Sequence, residues 1–212
     1  KNKIIVFTLL LGIIFGAFSL YRLWQTKLPL ISPVDLIGSI PQLAPIFSKT
    51  GNKIVFGFLP YWNMKDSDKL SIKTLTHLAY FGIELNQDGT IKKYEKPKEK
   101  EPGWNKLNSK EFITLSRQIK LLGKKLILVV ASMDIDQIEN LVNKSENRQI
   151  AINSIISLVT EKNFDGINID FEYAGHPNQL TRDNFTTFVS DLSSQCKMSN
   201  EKCEISIDIF AD

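Results

Sequence analysis

Short apolar runs rich in β-branched residues alternate with helical stretches beyond about residue 53. The apolar runs predict five strands, at residues 53–59, 75–83, 125–131, 164–172 and 203–210. Apolar residues recur at helical spacing in three stretches between the strands, at residues 109–122, 146–162 and 182–196. Strands that alternate with helices indicate parallel βαβ units whose helices cover the sheet. The pattern therefore predicts an α/β fold for residues 53–212.

Punctuating residues refine these boundaries. Gly123 is placed to close the first predicted helix, and Ser145 and Thr181 are placed to open the next two. The run Asn86–Gly89 is typical of a turn, so a hairpin is expected after the second strand. Residues 92–103 are dense in Lys and Glu and are expected to form a solvated loop.

The amino-terminal segment differs from the rest of the chain. Residues 4–20 carry no charge, and basic and aromatic residues flank them: Lys1, Lys3, Tyr21, Arg22 and Trp24. We expect residues 1–24 to be a transmembrane signal anchor, with a signal peptide cleaved near Ala17 and Ser19 as the alternative. Both alternatives place the following domain outside the cytoplasm. A signal anchor would attach it to the cell membrane by a single pass, and a cleaved signal peptide would leave it secreted.

Residues 25–52 contain Pro29, Pro33, Pro41 and Pro45 and few charges, which predicts a partly extended linker. The formal net charge is only +3 and no basic stripe occurs, so nucleic acid is not an expected partner. The cysteines and histidines do not have metal-ligand spacing, and Cys196 and Cys203 could pair or remain free thiols.

Candidate chemistry is concentrated in the fourth predicted strand. Because side chains alternate across a strand, Asn168, Asp170 and Glu172 should share one face while the intervening apolar residues pack on helices. A row of neighbouring acids on a buried face is costly for a purely structural strand, which favours a catalytic role. Glu172 is nearest the carboxyl end of the strand, where barrel enzymes place their sites. A carboxyl group there can stay protonated and deliver a proton to a leaving oxygen.

The segment Asp165–Tyr173 resembles the DGxDxDxE signature of glycoside hydrolase family 18, the chitinase-like enzymes. The resemblance implies a (β/α)8 TIM barrel, of which about five of the eight βα units fall in these 212 residues. It also implies a catalytic group of Glu172, Asp170, Asn168 and Asp165. Glu172 would be the general acid/base, and Asp170 would orient the substrate's 2-acetamido group as nucleophile. Asn168 stands where many members carry Asp, and it could donate a hydrogen bond to Asp170. No metal or cofactor is implied.

Aromatic and polar residues near predicted strand ends are candidates for binding sugar. Trp62 and Tyr61 follow the first strand, Tyr173 follows Glu172, and Asp208 should face inward from the fifth strand. Aromatic rings suit the C–H faces of sugars, although core packing explains Trp62 and Tyr61 equally well. His77 is expected to be a hydrogen-bonded core residue.

These features give two functional hypotheses. The first is retaining, substrate-assisted hydrolysis of β-glycosidic bonds in N-acetylglucosamine-containing glycans of the chitin or peptidoglycan type. The second is a non-catalytic glycan-binding barrel at the cell surface, motivated by Asn168 and by the third strand, which reads Val129-Val130-Ala131-Ser132 where the family carries Ser-x-Gly-Gly. Five strands do not close a barrel, so these 212 residues alone are expected to fold poorly and to be inactive.

Overall fold

The structure, a computed structural model, describes residues 53–209. Its strands are β1 Phe56–Pro60, β2 His77–Glu84, β3 Tyr94–Lys96, β4 Glu99–Lys100, β5 Lys125–Ser132, β6 Gly166–Phe171 and β7 Glu204–Ile207. Its α-helices are α1 Pro102–Leu107, α2 Lys110–Leu121, α3 Ile135–Asn143, α4 Ser145–Lys162 and α5 Gln179–Ser199. Two 3₁₀ segments, Tyr61–Lys69 and Ile72–Thr74, connect β1 to β2.

Five of the strands form one parallel sheet in the order β1-β2-β5-β6-β7. Consecutive long strands are neighbours in this sheet, and helices connect β2 to β5, β5 to β6 and β6 to β7, as expected for βαβ units. The α/β class predicted from the sequence is confirmed, and the sheet is consistent with part of a (β/α) barrel. All five carboxyl ends lie at one edge of the sheet.

The two faces of the sheet differ. Ile167 and Ile169 of β6 are fully buried in the main hydrophobic cluster, together with residues of α2, α3, α4 and α5. Phe171 continues this row and packs on Phe185 and Phe188 of α5, with ring centroids 6.0 and 5.9 Å apart. The opposite face holds a smaller apolar cluster and the polar side chains of β6. The predicted alternation of β6 therefore separates core from candidate chemistry.

The hairpin predicted after β2 is present. Asn86 donates its backbone N–H to Thr90 (2.8 Å), the Asp88 carboxylate accepts from the Thr90 N–H, and Gly89 has a φ of +88°. An antiparallel bridge between Leu85 and Ile91 closes the turn. Asx-type side-chain bonding and a residue with positive φ are what this turn chemistry requires.

The expectation of a solvated loop at residues 92–103 was wrong in part. The segment forms the two-stranded β3–β4 hairpin, and Glu101 at its end is only 3% exposed. The Glu101 carboxylate accepts hydrogen bonds from the N–H groups of Gly103 and Trp104, which caps α1. A buried carboxylate is tolerated here because the first turn of a helix presents unpaired donors.

Helix boundaries also depart from the predicted ones. The side chain of Asn178, rather than Thr181, caps α5 by accepting from the Thr181 N–H (2.9 Å). Helix α4 begins at Ser145 without a side-chain cap. Gly123 follows the end of α2 with a φ of +66°, as expected for a helix-closing glycine.

A disulfide and the absence of a membrane-spanning helix among the described residues complete the description of the fold. Cys196 at the end of α5 and Cys203 before β7 form a disulfide, with Cα atoms 5.7 Å apart. Among the helices of residues 53–209, none is long and apolar enough to cross a membrane. The predicted membrane segment 1–24 and linker 25–52 lie outside the described residues.

Candidate active site

The carboxyl end of β6 carries the candidate catalytic pair. Asp170 is directly opposite Ala131 of β5, and the backbone N–H of Glu172 donates to Ser132 (2.8 Å), which continues the strand pairing to Glu172. Asp170 is 7% exposed, and Glu172 is half-buried. The strand ladder therefore fixes the backbone positions of both carboxyl groups at the edge where parallel β/α enzymes place their chemistry.

Burial and neighbouring charge alter the acidity of Asp170. Burial raises its pKa, and the negative charges of Asp208 and Glu172 raise it further. Both effects disfavour the charged form of a carboxyl group. Asp170 therefore keeps its proton to a higher pH than a free aspartate does.

Asn168 links this face of β6 to β7. Its side-chain amide donates to the hydroxyl of Ser206 (3.0 Å) and to the carboxylate of Asp208 (3.1 Å). The expected hydrogen bond from Asn168 to Asp170 is not formed, because Ser206 of β7 and Asp208, which follows β7, offer acceptors to the amide nitrogen. The backbone N–H of Asp208 donates to Ile169 (3.0 Å), which anchors Asp208 beside the end of β6.

One buried acceptor in this group has no hydrogen-bond partner within residues 53–209. Among the described residues, the Oδ1 atom of Asn168 receives no hydrogen bond, and the residue is 1% exposed. An unsatisfied buried polar atom costs on the order of 1–3 kcal/mol. This acceptor lies on the polar face of β6, on the same side of the strand as Asp170.

A cavity of about 310 Å³ lies beside the carboxylates. Its lining includes Asp170, Glu172 and Asp208 together with side chains of α3 and α5, among them Ile138, Thr181, Arg182 and Phe185. The volume is at the lower end of the range for small-molecule sites. Sequence reasoning missed the residues of α3 and α5; the apolar spacing of Ile135, Ile138, Leu141 and Val142 was the available signal for α3.

Tyr173 also lines this cavity. Its hydroxyl donates to Glu139 of α3 (2.6 Å), and this hydrogen bond raises the pKa of Tyr173. The Tyr173 hydroxyl is therefore occupied by Glu139, which leaves the ring of Tyr173 to contact a ligand in the cavity.

Tyr61 and Trp62 lie at the same edge of the sheet but three strands away from β6. Trp62 is 55% exposed and meets the ring of Phe81 edge to face, with centroids 5.9 Å apart. Tyr61 packs against the main hydrophobic cluster. The two rings do not line the cavity beside Glu172, so the structure separates them from the carboxylates by roughly 14 Å of sheet.

Asp165 lies at the opposite end of β6 from Glu172. Its carboxylate accepts from the N–H of Leu126 (2.7 Å) and pairs with Lys120 of α2 (2.6 Å). Because it precedes Glu172 by seven residues of extended chain, the two are roughly 23 Å apart along the strand. The structure thus assigns Asp165 contacts with the protein at the amino edge of the sheet.

His77 also lies at the amino edge, as the first residue of β2. Its ring nitrogens lie 2.7 Å from the Thr76 hydroxyl and 2.8 Å from the Glu204 carboxylate. The expectation of a hydrogen-bonded core histidine is confirmed by this buried position.

Comparison with known proteins agrees with this arrangement. The sequence model described as glycosyl hydrolases family 18 matches residues 54–212, which is most of the chain. The chain belongs to glycosyl hydrolase family 18. The family predicted from the sequence is thereby confirmed.

Solved chitinase structures share the fold. A chitinase from Bacteroides thetaiotaomicron is 18% identical with a TM-score of 0.60, covering 74% of this chain and 46% of that chain. The Ostrinia furnacalis Group IV chitinase in complex with allosamidin is 20% identical with a TM-score of 0.62, covering 74% and 44%. The Cycas revoluta chitinase in complex with (GlcNAc)3 is 21% identical with a TM-score of 0.60, covering 74% and 46%. The chain spans less than half the length of each of these structures.

Proposed function

We propose that the full-length protein hydrolyses β-glycosidic bonds in N-acetylglucosamine-containing glycans. The observation that carries this proposal is the placement of Asp170 and Glu172 on one face of the carboxyl end of β6, beside a cavity, in a chain of this family. The structural relatives that contain (GlcNAc)3 or allosamidin support the same substrate class.

The proposed mechanism assigns one task to each carboxyl group. Glu172, half-buried at the cavity, donates its proton to the leaving glycosidic oxygen. Asp170 accepts a hydrogen bond from the N–H of the substrate's acetamido group and turns the acetamido oxygen toward the anomeric carbon. That oxygen is the nucleophile, and water then opens the cyclic intermediate with Glu172 as base, which gives retention.

The acidity of Asp170 suits this task. Burial and the neighbouring negative charges raise its pKa, so Asp170 gains more from a hydrogen-bond donor on the substrate than a solvated aspartate does. Positive charge then develops on the acetamido group in the transition state, and an ionised Asp170 stabilises that charge. The interaction is stronger in the transition state than in the ground state, which is the requirement for acceleration.

Substrate would extend along the carboxyl edge of the sheet. Trp62 is exposed at that edge and offers a ring face to a sugar several strands away from the cleaved bond. Because one edge carries both Trp62 and the carboxylates, we propose a polymeric or oligomeric glycan rather than a single sugar.

The competing function is that of a barrel that binds glycans but does not hydrolyse them. It is favoured by Asn168, whose amide cannot exchange a proton with Asp170 as a carboxyl group could. It is also favoured by the apolar wall that Val129 and Ala131 of β5 place beside Asn168 and Asp170.

The substitution Glu172→Gln distinguishes glycan hydrolysis from glycan binding without hydrolysis. In the full-length protein, Glu172→Gln should lower hydrolysis of N-acetylated chitooligosaccharides by roughly 10²–10⁴-fold while leaving their affinity within a few-fold. Glu161→Gln, an exposed change on α4, is the matched control and should retain full activity. Binding without any hydrolysis in the parent protein would establish the non-catalytic alternative, and equal hydrolysis in Glu172→Gln and the parent would exclude Glu172 as the acid.

We also propose that the domain works outside the cytoplasm, held at the membrane by residues 1–24. The disulfide between Cys196 and Cys203 supports this location, because such bonds persist in oxidising compartments. The tagged protein should sediment with membranes, be digested by protease added to intact cells, and lack free thiols. Recovery from the medium would indicate the cleaved signal peptide, and a protease-protected, thiol-labelled protein would contradict the proposal.

A further inference from the structure

Asn168 and Asp208 form a matched pair across two neighbouring strands. The amide nitrogen of Asn168 lies 3.1 Å from the Asp208 carboxylate and 3.0 Å from the Ser206 hydroxyl. An ionised carboxylate can accept hydrogen bonds but cannot donate them. The amide of Asn168 must therefore present its nitrogen, which is a donor, to Asp208. A second carboxylate at position 168 would repel Asp208 at this distance, whereas the amide holds it.

Within residues 53–209, the groups near Asp170 come from the adjacent strands and from the cavity lining. The strands β5, β6 and β7 and the residues that directly follow β6 and β7 contribute Val129, Ala131, Asn168, Glu172, Ser206 and Asp208. The cavity adds Arg182 and Tyr173. The Arg182 guanidinium is turned to its own helix start, where it donates to Pro177 (2.5 Å) and Gln179 (2.7 Å), and the Tyr173 hydroxyl is held by Glu139.

We propose that Asp208 is a positioning residue of this site, whose carboxylate Asn168 holds at the cavity that Asp170 also lines. The negative charge of Asp208 then acts on Asp170. The proposal rests on the proposed function for its catalytic consequence and on the β6–β7 geometry for its physical basis. The charge of Asp208 contributes more than that of Glu172 to the raised pKa of Asp170, which agrees with this geometry.

The pair predicts opposite effects for two isosteric changes. Asp208→Asn removes a negative neighbour, so the Asp170 carboxylate is better tolerated and Asp170 should titrate about one pH unit lower. Asn168→Asp adds a negative neighbour, so Asp170 should titrate about one pH unit higher. The double exchange Asn168→Asp with Asp208→Asn keeps the number of charges constant and should leave the midpoint close to that of the parent.

The test is a titration of the Asp170 carboxyl group in the full-length protein. Aspartate labelled with ¹³C at the carboxyl carbon reports each midpoint, and the resonance missing from Asp170→Asn assigns the signal. Asp183→Asn, an equal charge change on α5 that does not line the cavity, is the matched control and should leave the midpoint in place. The pH profile of chitooligosaccharide hydrolysis is the second readout, because ionised Asp170 is required and its acid limb should move with the midpoint.

The outcomes separate this inference from the proposed function. Opposite shifts of the midpoint support the pair, whether or not the protein hydrolyses glycans. Shifts absent from both single variants, or equal in direction, overturn it even in an active enzyme. If Asn168→Asp does not fold, Ser206→Ala takes its place, because it removes the second acceptor of Asn168 without a charge change. Ser206→Ala should leave the Asp170 midpoint unmoved while Asp208→Asn shifts it. An equal shift in these two variants would also overturn the pair.

Discussion

Asp165 offers a sharp test of how the family motif divides between structure and chemistry. Its carboxylate makes one hydrogen bond to the Leu126 N–H and one ion pair with Lys120, whose side chain is 28% exposed. A hydrogen bond to a charged group contributes about 1.5–3 kcal/mol, and a partly exposed ion pair adds about 0.5–1 kcal/mol. Asp165→Ala should therefore lower the free energy of unfolding by about 2–4 kcal/mol. Asp165→Asn retains an acceptor for Leu126 and should lower it by about 1 kcal/mol.

The assay combines unfolding with activity in the full-length protein. Denaturant unfolding followed by circular dichroism gives the stability loss, and Lys120→Ala isolates the ion pair with an expected loss of about 0.5–1 kcal/mol. Hydrolysis measured well below the unfolding transition should stay within about two-fold of the parent for both Asp165 variants, because Asp165 lies roughly 23 Å from Glu172. A hundred-fold loss of kcat in Asp165→Asn at unchanged stability would refute the structural assignment.

Two further predictions concern the support of the site. A Cβ atom on Gly103 would lie 1.9 Å from the backbone oxygen of Gly82, so Gly103→Ala should lower the free energy of unfolding by about 3 kcal/mol or more, measured by denaturant unfolding; an unchanged midpoint would refute this close approach. Phe188→Ala should cost about 3–5 kcal/mol because the ring is fully buried under β6, whereas Leu121→Ala on an exposed face should cost under about 0.5 kcal/mol. Equal melting temperatures for the Phe188 and Leu121 variants would contradict the packing.

Local pattern was sufficient to predict the main elements of the fold. The five β-branched runs became the five strands of the parallel sheet, and helical spacing around Phe112 and Ile119 located α2. Such signals are local, because each strand or helix must present an apolar face to the core. Helix α3 was missed because it is only nine residues long and carries only four apolar residues.

Tertiary contacts account for the features that the sequence concealed. Glu101 belongs to a run of charged residues that reads as surface, yet it is buried because it caps α1. Its burial depends on how α1 packs against β2. At this contact the backbone carbonyl of Gly103 accepts a hydrogen bond from the Tyr80 hydroxyl (2.7 Å). No local property of residues 92–103 carries that information.

In the candidate site, too, local pattern predicts some features and tertiary contacts determine the others. Alternation along β6 was enough to predict that Asn168 and Asp170 share a face apart from Ile167 and Ile169. The partner of Asn168 was not predictable, because it depends on the register between β6 and a strand 38 to 40 residues further along the chain. The roles of Glu172 and Asp170 in catalysis stay predictions.

The most direct test of the central claim is the anomeric form of the first product. The full-length protein would be incubated with chitotetraose, and the new reducing end would be followed by ¹H NMR before mutarotation equilibrates it. Substrate-assisted catalysis with Glu172 and Asp170 predicts the β anomer first, with no cleavage of the matched oligosaccharide that lacks acetyl groups. Initial release of the α anomer, or equal cleavage of the deacetylated substrate, would contradict the account.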